Sequence, residues 1–191
     1  MKRLVTICIV MVAIGGTASA LPINFDEYPD DTLISNQYAS QGVLFLAGTV
    51  TGRLPQISPD PPMPTEPVLR PTGEPEYGMF QGDFWMQFTS PVSDVQFISG
   101  YWDAVGTGVI DVYGPGMNLL ASLSNTITGP ELISISGLGS IGHIYFNSIA
   151  DPGGADIDSL NFTAVIPVPG TFLLGGIGTG LVTWLRRRRT L

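Results

Sequence analysis

Short runs of alternating apolar and polar residues, ended by glycine, proline or asparagine, fill the middle of the chain. In one such run Phe84, Met86 and Phe88 fall on one side of an extended strand. Trp85 and Gln87 fall on the other side. No long run of good helix formers repeats at helical spacing in this region. The pattern therefore predicts an all-β domain.

Turn signals such as Gly114-Pro115-Gly116 and Pro152-Gly153-Gly154 separate about nine predicted strands. These strands are Ile23–Asp26, Gln41–Leu46, Asp83–Thr89, Val92–Trp102, Gly108–Tyr113, Asn118–Leu123, Glu131–Ser136, Ile141–Asn147 and Ala155–Thr163. Residues 52–78 hold eight prolines and are predicted to be a long exposed loop without strands. Strands without intervening helices predict two packed antiparallel sheets, that is, a β-sandwich over residues 21–164.

The amino terminus has the three parts of a signal peptide. Lys2 and Arg3 precede the apolar segment Leu4–Ile14, and Ala18-Ser19-Ala20 has the spacing of small residues that signal peptidase requires. We therefore predict that residues 1–20 are removed and that the mature chain begins at Leu21.

The carboxyl terminus, residues 165–191, carries a second apolar segment. Val165–Leu185 contains no charged residue and would span about 31 Å as a helix, close to the roughly 30 Å of a bilayer core. Four basic residues follow it: Arg186, Arg187, Arg188 and Arg189. Basic residues beside a membrane segment stay in the cytoplasm, so the body is predicted to face outward.

The body is strongly acidic. Arg53 and Arg70 are its only basic residues, against all sixteen Asp and Glu residues of the chain. Such a surface repels phosphate backbones, which argues against a nucleic acid partner. The one cysteine, Cys8, lies in the signal peptide, so the mature chain has no thiol for a disulfide or a nucleophile.

No catalytic motif stands out in the sequence, and we predict that the protein is not an enzyme. His143 is the only histidine, and its alternation with Ile144 is typical of an ordinary strand position. A glycosidase needs only two carboxylates about 5 to 10 Å apart, so the many acids leave that alternative open without selecting a pair.

Two tryptophans are candidates for sugar contacts. Trp85 shares its side of the strand with Gln87, and Trp102 shares the parity of Asp94 and Gln96. Aromatic rings beside polar side chains are typical of sugar sites, because a ring stacks on the apolar face of a sugar. The alternative is that both indoles are partly buried under the long loop. The candidate ligand-binding residues are Trp85, Gln87, Trp102 and Asp103.

The tail resembles a PEP-CTERM sorting signal. Ile166-Pro167-Val168-Pro169-Gly170 is followed by an apolar stretch through Trp184 and by the arginine cluster. Ile166 and Val168 replace the Val and Glu of the typical Val-Pro-Glu-Pro motif. The resemblance implies an exosortase-type processing enzyme as a partner and Pro167, Pro169, Gly170 and the four arginines as sorting residues. It also implies a location at the cell surface or in an exopolysaccharide matrix.

Four segments of the body resemble strands of jelly-roll modules related to carbohydrate-binding domains. They are Ile23-Asn24-Phe25-Asp26, Gln41-Gly42-Val43-Leu44-Phe45, Gly100-Tyr101-Trp102-Asp103 and residues 156–162. The resemblance implies a jelly-roll-like β-sandwich whose first and last strands lie side by side. It also implies a structural calcium ion there, with Asp26, Asp30, Asp156 and Asp158 as candidate ligands. A solvated acidic rim at the ends of the strands is the alternative.

Together these features predict an exported protein that passes through the inner membrane to the cell surface or matrix. The predicted role is non-catalytic polysaccharide binding. Two alternatives remain at this level: a structural matrix or adhesion protein without a defined sugar site, and an envelope glycoside hydrolase.

Overall fold

The computed structural model describes residues 22–59 and 67–165. A short 3-10 helix, Ala39–Gln41, precedes nine strands within these ranges. The strands are β1 (Val43–Ala47), β2 (Gln56–Ser58), β3 (Val68–Arg70), β4 (Asp83–Trp102), β5 (Val109–Tyr113), β6 (Leu119–Leu123), β7 (Gly129–Ile135), β8 (Ile141–Asn147) and β9 (Asp156–Ala164). The all-β prediction is confirmed for the described residues.

The nine strands form one antiparallel sheet in the order β2-β3-β9-β4-β8-β5-β6, and β1 and β7 also pair with β4. The first half of β4 pairs with β1 and β8, and its second half pairs with β7 and β9. Two separate sheets were expected, with a break between Thr89 and Val92, and that detail is wrong. Pro91 lacks an N–H but is exposed and lies within a register shift, where the ladder to β8 is already interrupted.

One hydrophobic core lies against both halves of this sheet. Phe84 and Met86 from the first half of β4 and Val95 and Phe97 from the second half are all fully buried in the same cluster. Alternation along the strand selects these residues, since every second side chain points to the same side. The sheet therefore folds over a single core, and its opposite side carries polar and aromatic residues together with exposed aliphatic ones such as Leu46 and Leu132.

The predicted loop at residues 52–78 is partly strand. Ile57 in β2 pairs with Leu69 in β3, and both side chains are fully buried. The prolines next to these strands lie just outside them, at Pro55, Pro59, Pro67 and Pro71. Because they flank the ladder, they remove no hydrogen bond within it. The expectation that this composition cannot form strands is therefore wrong.

The first and last segments of the body lie side by side, as the jelly-roll resemblance implied. Ile23 and Leu160 exchange two backbone hydrogen bonds, with N to O distances of 2.8 and 3.0 Å. The predicted strand Ile23–Asp26 is limited to this one bridge, because Phe25 has a left-handed φ of 63° that ends the extended conformation.

The predicted signal peptide, and the sorting tail from residue 166 onward, lie outside the described residues. Within the described ranges, no helix has the length and apolar character needed to cross a membrane.

Candidate functional site

Aromatic and polar side chains share the outward side of the first half of the sheet with exposed Leu46 of β1, which lies opposite Trp85. Trp85 in β4 lies opposite Tyr145 in β8, and Tyr145 lies opposite Asp111 in β5. One row further along, Gln87 lies opposite His143, and His143 lies opposite Tyr113. We call these six partly buried residues the aromatic face: Trp85, Gln87, Asp111, Tyr113, His143 and Tyr145. Three strands that are distant in sequence therefore supply one continuous surface.

The indole of Trp85 contacts both tyrosines of the aromatic face. Its ring centroid lies 4.8 Å from that of Tyr145 and 5.3 Å from that of Tyr113, with interplanar angles of 41° and 46°. Trp85 Nε1 donates a 2.9 Å hydrogen bond to Thr49 Oγ1. Ring contacts and a hydrogen bond thus fix the indole, while part of its surface stays accessible.

Hydrogen bonds to Asp83 and Asn147 hold the side chain of Tyr145. Its hydroxyl donates a 2.9 Å hydrogen bond to Asp83 Oδ2 and accepts one of 3.2 Å from Asn147 Nδ2. Burial, followed by the hydrogen bond to Asp83 and the charge of Asp83, raises the pKa of Tyr145 above its ordinary value. The phenol therefore stays neutral at physiological pH and acts as a hydrogen-bond donor.

Asp83 ties the aromatic face to a nearby loop. Its fully buried carboxylate accepts hydrogen bonds from the backbone N–H groups of Val50 (2.8 Å) and Thr51 (2.9 Å). Burial alone would raise the pKa of Asp83, but these bonds, with those from the side chains of Thr51 and Tyr145, lower it. A Cβ at Gly48 would lie 2.3 Å from the Asp83 carboxyl carbon, so the loop approaches this closely only with glycine there.

Asp111 is the accessible acid of the aromatic face. Its carboxylate accepts a 2.5 Å hydrogen bond from Ser122 Oγ. Burial, and then the charge and hydrogen bonding of Asp111, raise the pKa of Tyr113. Neither arginine of the body is among these six residues: Arg53 pairs with Glu76 at 3.5 Å, and Arg70 is buried. The aromatic face therefore carries a carboxylate and no Lys or Arg.

Trp102 is a core residue and not a sugar-stacking ring, so its assignment to an exposed side of the strand is wrong. It is 1% exposed, and its ring centroid lies 5.8 Å from that of Phe146. The pairing of β4 with β7 shifts register between Ser99 and Trp102, which reverses the alternation. As a result Tyr101, rather than Trp102, points outward and is 40% exposed.

Asp103 follows the carboxyl end of β4, whereas Trp85 lies near the amino end of the same strand. The structure therefore does not bring these two candidates together. The Asp103 side chain is exposed, and its backbone N–H donates a 3.0 Å hydrogen bond to buried Asp151. Asp151 also accepts from Thr107 Oγ1 at 2.7 Å. Asp103 thus belongs to a loop that Asp151 holds together. Of the four candidate ligand-binding residues, Trp85 and Gln87 share one surface.

Sequence reasoning missed four members of the aromatic face: Asp111, Tyr113, Tyr145 and His143, the last of which was assigned to an ordinary strand position. The signal that could have found them is the same alternation that placed Trp85. Tyr145 lies between the buried Ile144 and Phe146. Alternation alone, however, does not reveal which strands are neighbours.

The candidate calcium ligands are not gathered into one site. Asp26 and Asp30 are exposed, whereas Asp156 and Asp158 are fully buried. Among residues 22–59 and 67–165, no group of three or more His, Cys, Asp or Glu side chains is placed to hold a metal ion. These four carboxylates therefore do not fit a shared calcium site in the described structure. Calcium binding stays a prediction, which melting the chain with and without millimolar calcium would test.

A polar groove of about 240 Å³ lies on the second half of the sheet. Its lining includes Asp94, Gln96, Ser134, Asn161 and Thr163. It offers hydrogen-bonding groups, but its one aromatic residue, Phe162, is 6% exposed. The groove therefore lacks the accessible ring that the aromatic face provides.

No protein-family profile and no curated protein matches this chain. Solved structures that are partly similar to this chain include three with TM-scores between 0.31 and 0.44. The first is an arabinose-bound GH51 α-L-arabinofuranosidase, with 13% identity over 78% of this chain and 27% of that chain and a TM-score of 0.44. The second is a mutant of the family 29 carbohydrate binding module CBM29-2, with 13% identity over 66% of this chain and 99% of that chain and a TM-score of 0.32. The third is the apo form of BiXyn10A CBM1, with 11% identity over 78% of this chain and 99% of that chain and a TM-score of 0.31. This chain spans about a quarter of the arabinofuranosidase.

Proposed function

We propose that this chain is an exported, non-catalytic protein of the cell surface or matrix that binds polysaccharide through the aromatic face. The observation that supports the proposal is the fixed, partly accessible indole of Trp85, in ring contact with Tyr145 and Tyr113 and with Gln87 beside it. The apolar face of a sugar stacks on such a ring, and its hydroxyls bond to neighbouring polar groups. Rings that are already fixed lose little entropy on binding.

The acids near this surface favour binding over hydrolysis. A glycosidase places two carboxylates on either side of the scissile bond. Asp111 is accessible on the aromatic face, but Asp83 is buried and its oxygens are occupied by hydrogen bonds from Val50, Thr51 and Tyr145. A reducing-end assay on every polysaccharide that binds should show no release of sugar. Release that is lost in Asp111→Asn would favour the hydrolase alternative.

Export and sorting rest on the two ends of the sequence. Replacing Arg186, Arg187, Arg188 and Arg189 by serine should change membrane retention or processing, because these residues hold the carboxyl terminus inside. Mass spectrometry of the surface form should find its last residue near Pro167–Gly170 if an exosortase-type enzyme cuts the tail. Unchanged fractionation and an intact Leu191 would contradict the sorting proposal.

Polysaccharide binding is tested with a glycan array and then by affinity titration of the full chain purified in detergent. Trp85→Ala should weaken binding by about tenfold or more, equivalent to the loss of at least about 1.4 kcal/mol. Tyr101→Ala is the matched control, because it removes an exposed ring at the far end of β4. If no glycan binds, or if both variants bind like the wild type, the proposal fails. The matrix or adhesion protein would then be favoured.

A further inference from the structure

The charge on the aromatic face points to one class of polysaccharide. Trp85, Tyr145 and Asp111 form one cross-strand row, with Asp111 two strands from Trp85. Neighbouring strands lie about 4.7 to 4.9 Å apart, so the backbones of these two residues are about 10 Å apart. Asp111 and the indole can therefore contact the same polymer chain.

The carboxylate of Asp111 has neutral partners. Its hydrogen bonds come from the hydroxyls of Ser122 and Tyr113, and within the described residues it makes no ion pair. Of the two arginines of the body, Arg53 is paired with Glu76, and Arg70 is buried and donates a hydrogen bond to Gln56. The negative charge at this position is therefore available to a ligand.

We propose that the polysaccharide carries protonated amino groups, and that Asp111 and Trp85 select it together. This inference rests on the proposed function. An ammonium group forms a charge-assisted hydrogen bond with a carboxylate and is attracted to the face of an indole within about 6 Å. Uronate, sulfate or phosphate groups are repelled by Asp111 and by the acidic body around it.

The test compares three oligosaccharides of equal length with the full chain in detergent. They are glucosamine oligomers at a pH at which their amines are protonated, the fully N-acetylated counterparts, and galacturonate oligomers. We expect the glucosamine oligomers to bind about tenfold more tightly than the N-acetylated ones, and the galacturonate oligomers to bind least. Asp111→Asn should remove this preference.

A second variant separates the local role of Asp111 from bulk charge. Glu27→Gln removes one exposed negative charge away from the aromatic face and should keep the preference. Asp111→Glu, which conserves the charge, should also keep most of the preference for amino oligomers. Thermal melting of each variant checks that it is folded.

Equal binding of amino and N-acetylated oligomers would overturn this inference while the proposed function stands. An equal loss of preference in Asp111→Asn and Glu27→Gln would also overturn it. Failure to bind any polysaccharide on the array would overturn the proposed function itself.

Discussion

The hydroxyl of Tyr145 donates a 2.9 Å hydrogen bond to the buried carboxylate of Asp83. The same carboxylate accepts from the backbone of Val50 and Thr51, next to Thr49, which accepts a hydrogen bond from Trp85. One buried acid therefore holds both Tyr145 of the aromatic face and the loop that fixes the indole of Trp85. Changes at Asp83 should affect folding and binding together.

Asp83→Asn should destabilise the full chain by about 1 to 3 kcal/mol. The amide keeps one acceptor oxygen, so at least one backbone N–H of Val50 or Thr51 loses its partner. Urea unfolding in detergent measures the change. Glu27→Gln, an exposed site, should stay within about 0.5 kcal/mol of the wild type. Equal midpoints for the two variants would show that Asp83 does not hold this loop.

The stability contributed by Asp83 should depend on pH in the acid range. Its hydrogen bonds lower its pKa in the folded state relative to the unfolded state, where an aspartate has a pKa of about 3.9. The contribution is then fully present above about pH 4 and is lost as the pH falls through the folded pKa. Between about pH 5 and pH 2, the wild type should lose more stability than Asp83→Asn. Parallel stability curves would contradict this assignment.

Thr49→Val tests whether a fixed indole improves binding. The variant removes the acceptor for Trp85 Nε1 but keeps the shape of the side chain. A typical hydrogen bond contributes about 0.5 to 1.5 kcal/mol, so affinity for the polysaccharide should fall by about two- to tenfold. Since Thr49 is exposed, the melting midpoint should change little. Unchanged affinity would mean that the two tyrosines alone hold the ring.

Gly108→Ala should destabilise the fold by about 1 to 3 kcal/mol through a clash with the buried indole of Trp102. A Cβ at this position would lie 2.3 Å from Trp102 Cη2, and the ring is enclosed by the core. Gly116→Ala is the matched control, since its Cβ would meet one atom, at 3.7 Å. Thermal melting compares the two. Similar midpoints would show that the ring of Trp102 can move.

Local alternation was enough to predict much of the fold and part of the site. It placed Trp85 and Gln87 on the side of β4 opposite to Phe84 and Met86, as observed. It failed at Trp102, because a register shift in the second half of β4, around Gly100, reverses the parity. It also failed at β2 and β3. The many prolines of this segment argued against strands, but the prolines beside β2 and β3 flank these strands and do not lie within them.

The sequence by itself determined the all-β character of the body, its acidity and the outward side of each regular strand, since these depend on residue type and a period of two. The tertiary structure alone decided that β4 joins both halves of one sheet and that Trp85, Tyr113 and Tyr145 meet on one surface. It also decided that Asp83 anchors that surface. The physical reason is that packing over a common core determines which strands become neighbours. Such packing brings together residues that are tens of positions apart, and a local sequence pattern contains no information about those pairs.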